Sequence, residues 1–187
     1  MSERECTIGT CAYERQCVAG WGPLPAEIVL VGEAPGKQEL SEGRPFIGRS
    51  GQLLDRLLDR VGLDRAAIRI TNRTGCVVLE REDRRPLPEE IAACEPRLLR
   101  ELALAHPRVI LCMGNTAMSL FWPGERIGTV YNQVRSLPDG TMVLASYHPA
   151  AALRNPHLVP VIEEGLRIVR SLAYPSCAVD QTSTSVP

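Results

Sequence analysis

Apolar and polar positions along the chain fall into short solid runs separated by stretches of helical spacing. Ile28-Val29-Leu30-Val31 is an unbroken apolar run and predicts a buried strand over 27–31. From Ser50 onward, Leu53, Leu54, Leu57, Leu58 and Val61 recur at helical spacing, with Asp55, Arg56, Asp59 and Arg60 opposite and Gly62 as the predicted cap. A second strand is predicted over 68–71, running into Asn72. Pro88 with Glu89 and Glu90 opens a helix that reaches about Ala105, because proline suits the first helical position and acids suit the first turn. Residues 108–113 predict a third buried strand, and Gly114-Asn115 turns it into a helix capped by Asn115. Two short strands, 130–134 and 142–145, flank the turn signal Pro138-Asp139-Gly140. A helical stretch then runs to Arg154, followed by an amphipathic helix from about Pro156 to Leu172. Strands alternating with helices predict an α/β fold with a mostly parallel sheet covered on both faces. No internal repeat is visible. One domain is expected over 1–172, with a cysteine-bearing N-terminal segment at 1–25 and a disordered tail at 173–187.

Composition narrows this picture. A chain of 187 residues with 44% hydrophobic content suits a single sizeable core, and its net charge of −1 lacks the basic excess that would by itself announce a nucleic-acid binder. No stretch approaches the ~20 apolar residues needed to cross a bilayer, and the N-terminus lacks the regions of a signal peptide. A cytoplasmic protein with no membrane partner is expected. In that compartment seven cysteines serve as thiols, redox groups or metal ligands rather than as disulfides.

The first strand enters Gly32–Gly51, GEAPGKQELSEGRPFIGRSG, in which five of twenty residues are glycine. A glycine-rich loop at the end of a buried strand is where α/β proteins build ligand sites. A phosphate loop is excluded, because Gly32 and Gly36 have three residues between them and Gln38 follows Lys37. A dinucleotide fingerprint is absent as well. A glycine-rich crossover without chemistry remains possible on spacing alone. Against it stand Phe46 and the carboxylates Glu33, Glu39 and Glu42, in a loop expected to be exposed. Cys6, Cys11 and Cys17 cluster near the start, and Cys76 and Cys94 lie 18 positions apart; four thiolates from two distant pairs suit zinc or an iron–sulfur group. Cys112, inside an apolar strand, reads as a small core residue, and Cys177 as a bystander in the tail. His106 and His157 fall at helix ends and read as surface residues. His148 follows a strand and precedes Pro149, so it sits where α/β sites form, with Arg154 and Asn155 close behind.

Taken together, GEAPGKQE with GRPFIGRSGQLLDRLL, Ile70-Thr71-Asn72, Cys76, Cys94 and YHPAAALRNP resemble the uracil-DNA glycosylase superfamily. They are most similar to its family 4, whose members carry a [4Fe–4S] cluster. The likeness runs in consistent order over roughly residues 6–172. It implies a three-layer α/β/α sandwich around a central, mostly parallel four-stranded sheet. It also implies a monomeric hydrolase that removes uracil from single- or double-stranded DNA and leaves an abasic site. By the same resemblance, Gly32, Ala34, Phe46 and Asn72 form the uracil pocket, with Phe46 stacking on a flipped base and Asn72 reading its O4 and N3 edge. His148 faces O2, where charge develops; Glu33 serves the sugar or the attacking water; and Glu39 narrows the pocket beside C5. Leu153 is the implied wedge in a minor-groove loop, and Ser50 and Arg154 the implied phosphate contacts. Cys6, Cys11, Cys76 and Cys94 are the implied cluster ligands, with Cys17 as a substitute and zinc as the alternative metal. The chain departs from the family in its first cysteines, Cys6-x4-Cys11-x5-Cys17 where CxxC is usual, and in the run RTGCVVLERED after Asn72.

Two rival readings stay in view. One is a non-catalytic or trapping protein of the same fold that binds uracil-containing or damaged DNA. The presence together of Glu33, Phe46, Asn72 and His148 argues against it, as does the lack of a histidine between Cys76 and Cys94. The other is a cysteine–metal redox module, which leaves Phe46 and HPAAALRNP without a purpose.

Overall fold

A computed structural model describes residues 17–76 and 85–175. Five strands form one sheet in the order β2-β1-β3-β5-β4. β1 (Ile28–Gly32), β2 (Arg69–Asn72), β3 (Val109–Met113) and β5 (Met142–Ser146) are parallel neighbours, and β4 (Val134–Ser136) pairs antiparallel to β5 at the edge. The four-stranded expectation is corrected by this fifth, exposed strand. Residue 130 belongs to a short helix, α5 (Ile127–Val130), so the strand expected from 130 begins only at Val134.

Alternation along β1 builds two cores. Ile28 and Leu30 pack on one face with Leu54, Leu57 and Leu58 of α2 (Arg49–Arg60) and with Ile162, Leu166 and Val169 of α7 (Val159–Ala173). Val29 and Val31 pack on the other with Leu98 and Leu102 of α3 (Pro88–Ala105), Met118 of α4 (Asn115–Met118) and Trp122. All strand residues of β1 and β3 are buried, as period-free apolar runs in a doubly covered parallel sheet should be. The three-layer α/β/α arrangement is therefore as expected.

The loop after β1 contains a helix that sequence periodicity did not indicate, α1 (Lys37–Glu42), ended by Gly43 in the left-handed conformation. A further correction concerns Asn115. Gly114 holds the cap position of α4, while the Asn115 side-chain carbonyl accepts from the Ile127 N–H, 2.8 Å away, and fixes the start of α5. Cys6, Cys11, Cys177, Arg81, Arg84 and most of the expected tail lie outside the described residues. Among the described residues no helix is long and apolar enough to cross a membrane.

Candidate active site

Because the four central strands are parallel, their carboxyl ends meet at one edge of the sheet, and the loops leaving them converge there. β1 ends at Gly32 and β2 at Asn72, which are register partners. β5 ends at Ser146, two residues before His148, and α6 (Pro149–Ala152) follows.

Gly32, Phe46 and Asn72 touch. A Cβ built on Gly32 would overlap the Asn72 side-chain oxygen and lie 2.6 Å from two Phe46 ring carbons, so only glycine allows this approach. Asn72 is 2% exposed, and its Oδ1 has no hydrogen-bond partner among the described residues. A buried acceptor left open in this way costs free energy unless a ligand donor meets it. Phe46 is buried at a φ of 55°, a left-handed conformation that bulky residues rarely adopt. Arg65 holds it there. Its Nη2 donates to the carbonyls of Pro45 and Phe46, both at 3.1 Å, while Nη1 pairs with Asp55. The Phe46 ring lies 5.3 Å from the His148 ring, tilted by 31°.

His148 caps α6: its Nδ1 accepts from the Ala150 N–H at 3.1 Å. Burial, and behind it the Arg154 guanidinium, push its imidazole down to about 4 from an ordinary 6.5, against a smaller opposing pull from Glu39. The ring is therefore neutral near pH 7. With Nδ1 accepting, its proton sits on Nε2, which is left as the donor.

The two carboxylates do different work. Glu39 is buried, and its Oε1 accepts from the N–H groups of Ile47 at 3.1 Å and Gly48 at 2.8 Å, latching α1 to the start of α2. Glu33 is half-buried and faces a cavity of about 590 Å³ shared with Ala34, His148 and Arg154. Its Oε2 accepts from the Thr116 hydroxyl at 2.7 Å. Ser50 lies in the first turn of α2; Leu153 and Arg154 are exposed just beyond α6. The structure thus brings Gly32, Phe46, Asn72, His148 and Glu33 to one edge of the sheet. It adds Thr116 and Arg65, which no local pattern marked.

On the other side of β2, cysteines approach one another. Cys17 Sγ stands against Gly75, whose N–H donates to Cys94 Sγ at 3.1 Å, and Cys76 is next in the chain. Arg97 Nε also donates to Cys94 Sγ, at 3.4 Å. Burial works against the Arg97 charge, but the Cys94 sulfur and Glu101 outweigh it and hold the guanidinium more firmly charged than usual. Two donors are aimed at this buried sulfur, as at the sulfurs of a bound metal or cluster, so Cys94 and its neighbours fit such ligation. Among the described residues no three His, Cys, Asp or Glu side chains stand close enough to hold a metal by themselves. Cys112 behaves as the sequence predicted: it is fully buried, and burial pushes its thiol up.

The model of the Uracil DNA glycosylase superfamily matches residues 19–166. The type-4 uracil-DNA glycosylase of Thermotoga maritima is 40% identical over 162 residues, 83% of this chain and 82% of the relative. That of Archaeoglobus fulgidus is 36% identical over 181 residues, 92% of this chain and 88% of the relative. That of Saccharolobus solfataricus is 36% identical over 167 residues, covering 84% and 76%. On that match and these identities the chain belongs to the uracil DNA glycosylase superfamily, alongside its type-4 enzymes.

Proposed function

We propose that this chain hydrolyses the N-glycosidic bond of deoxyuridine in DNA, releasing uracil and leaving an abasic site. The observation that carries this reading is the buried, unpartnered Asn72 Oδ1 beside Gly32 and Phe46. A flipped uracil presents N3–H to that oxygen and O4 to the amide nitrogen. Cytosine has no N3 proton and carries an amino group at C4, so both contacts would fail and leave buried polar groups unpaired. Phe46 covers one face of the base, and Gly32 lets the backbone pass close to its edge.

When the C1′–N1 bond breaks, the electron pair goes to the base and charge spreads to O2. The neutral His148, donating from Nε2, stabilises that charge without itself needing to lose a proton. The deoxyribose would lie in the cavity lined by Glu33. There the carboxylate, oriented by Thr116, opposes the positive charge developing at C1′ and orients the water that adds to it. Glu39, latched to the Ile47 and Gly48 amides, acts as the wall beside C5 and crowds the thymine methyl group. Leu153 is the wedge that replaces the flipped base, and Ser50 and Arg154 contact flanking phosphates.

The cysteines fit a structural [4Fe–4S] cluster held by Cys6, Cys11, Cys76 and Cys94, with Cys17 able to substitute. The sulfur-directed donors of Gly75 and Arg97 support this over zinc-free thiols. The protein would act as a cytoplasmic monomer on DNA. A uracil-containing oligonucleotide, incubated with the protein and then cleaved at abasic sites with alkali, tests the reading. Cleaved product is expected, with a thymine control left intact. A retarded but uncleaved strand would mean a binder, and neither outcome would point to a redox module. Anaerobically purified protein should be brown and contain iron; colourless protein with stoichiometric zinc would remove the cluster while sparing the glycosylase.

A further inference from the structure

Cys94, Arg97 and Glu101 sit at i, i+3 and i+7 of α3, on one face of the helix, opposite β2. Arg97 is the hub of what forms there. Its Nε donates to Cys94 Sγ at 3.4 Å, and its Nη1 to Glu101 Oε2 at 2.8 Å and Thr71 Oγ1 at 3.2 Å. Its Nη2 donates to the backbone carbonyl of Asn72. Glu101 is fixed in turn by Arg69 Nε at 2.7 Å and by the Thr71 hydroxyl at 2.9 Å. The Arg97 and Glu101 side chains are 15% and 9% exposed, so bulk water screens this network little.

Buried ionic networks of this kind contribute little net stability compared with apolar replacements, but they fix direction. Here the direction matters. The Asn72 carbonyl is tied to Arg97, while the Asn72 amide, on the same residue, lies against Gly32 and Phe46 with its oxygen open. A planar fork can bond a sulfur, a carboxylate, a hydroxyl and a carbonyl at once; an ammonium group cannot reach them all.

We propose that Arg97 is a positioning residue for base recognition: by bonding the Cys94 sulfur and the Asn72 carbonyl together, it makes the cysteine-bearing side of the sheet orient the amide that reads the base. This rests on the reading of Asn72 as the base-contacting residue. It gives the cysteine-bearing side of the sheet a part in shaping the pocket.

A double-mutant cycle on the full chain tests it, with single-turnover excision and DNA affinity measured for wild type, R97M, N72A and the R97M/N72A double variant. R97M is expected to slow excision roughly 10- to 100-fold with affinity for uracil-containing DNA within about twofold of wild type. On the N72A background it should slow excision less than about twofold, because its target is already gone. R97K should keep the charge but lose the fork. It should slow excision like R97M; a wild-type rate in R97K would show that charge alone suffices and overturn the proposal. Equal slowing by R97M on both backgrounds would overturn the proposal and make Arg97 a purely structural residue; so would an unchanged rate. If R97M does not fold, the same cycle is run with R97K. Failure of the underlying reading is distinguishable, because N72A alone would then excise at the wild-type rate.

Discussion

Asn72→Ala separates stability from activity, and the structure supplies both magnitudes. In the ligand-free protein the Asn72 Oδ1 is buried without a partner, a state that costs about 1–3 kcal/mol. Truncation removes that cost. It also opens a void of about 40 Å³ beside Gly32 and Phe46, worth roughly 1 kcal/mol at about 24 cal/mol per Å³. The two terms nearly cancel, so stability should change by no more than about 1–2 kcal/mol, a melting shift of a few degrees at this chain length. Excision behaves differently. Without the amide, the N3–H and O4 of a flipped uracil enter a dry pocket unpaired, at about 1–3 kcal/mol each. The rate should fall by roughly 30-fold to 10⁴-fold, and discrimination against cytosine should weaken. Thermal denaturation with single-turnover excision on uracil and cytosine substrates measures all three quantities. A variant that melts more than about 10 °C lower would show Asn72 to be a core strut, and wild-type excision would remove it from the pocket.

Two further outcomes follow from the same geometry. Because His148 is held neutral down to about 4, excision should show no inflection near pH 6.5; one at that pH would refute the assignment. Its folded pKa lies below its unfolded one, so the stability it contributes is full above pH 6.5 and lost as pH falls from 6.5 to 4, on the order of 3 kcal/mol; denaturant melts of wild type and H148Q across that window would show it. Arg65→Ala should free Phe46 from its left-handed conformation, lowering excision about tenfold and stability by about 1–2 kcal/mol, with R65K recovering part of both; unchanged excision would show that Phe46 needs no clamp.

Much of the site was legible because its residues sit at strand ends. The strand signals at 28–31, 68–71 and 142–145 mark where strands stop, which puts Gly32, Asn72 and His148 at or just beyond strand ends, while their roles come from the family resemblance. What escaped is of two kinds. Some elements are too short for periodicity to mark. α1 is six residues between Gly36 and Gly43, and α5 is four β-branched or glycine residues that propensity assigns to a strand. Its helical turn starts where it does because the Asn115 side chain, 12 residues away, accepts from the Ile127 N–H. Other features depend on contacts with no local trace. The Thr116–Glu33 bond spans 83 residues, and the Arg65 clamp on Phe46 spans 19.

Glu39 shows how such contacts bury a residue that its loop alone would leave exposed. The sequence places it among carboxylates in a glycine loop expected to be exposed, and the family resemblance implies that it narrows the pocket beside C5. In the fold it is buried, and one oxygen is committed to two backbone amides at the start of α2. A carboxylate so engaged makes a poor proton carrier but a rigid wall, because moving it would strip both amides of their acceptor. The half-buried Glu33 accepts from the Thr116 hydroxyl and faces the cavity, where the proposed reaction would put water and the sugar. On the proposed reading, the two glutamates, six residues apart in one loop, would divide the work: Glu39 as a wall of the base pocket, Glu33 beside the sugar.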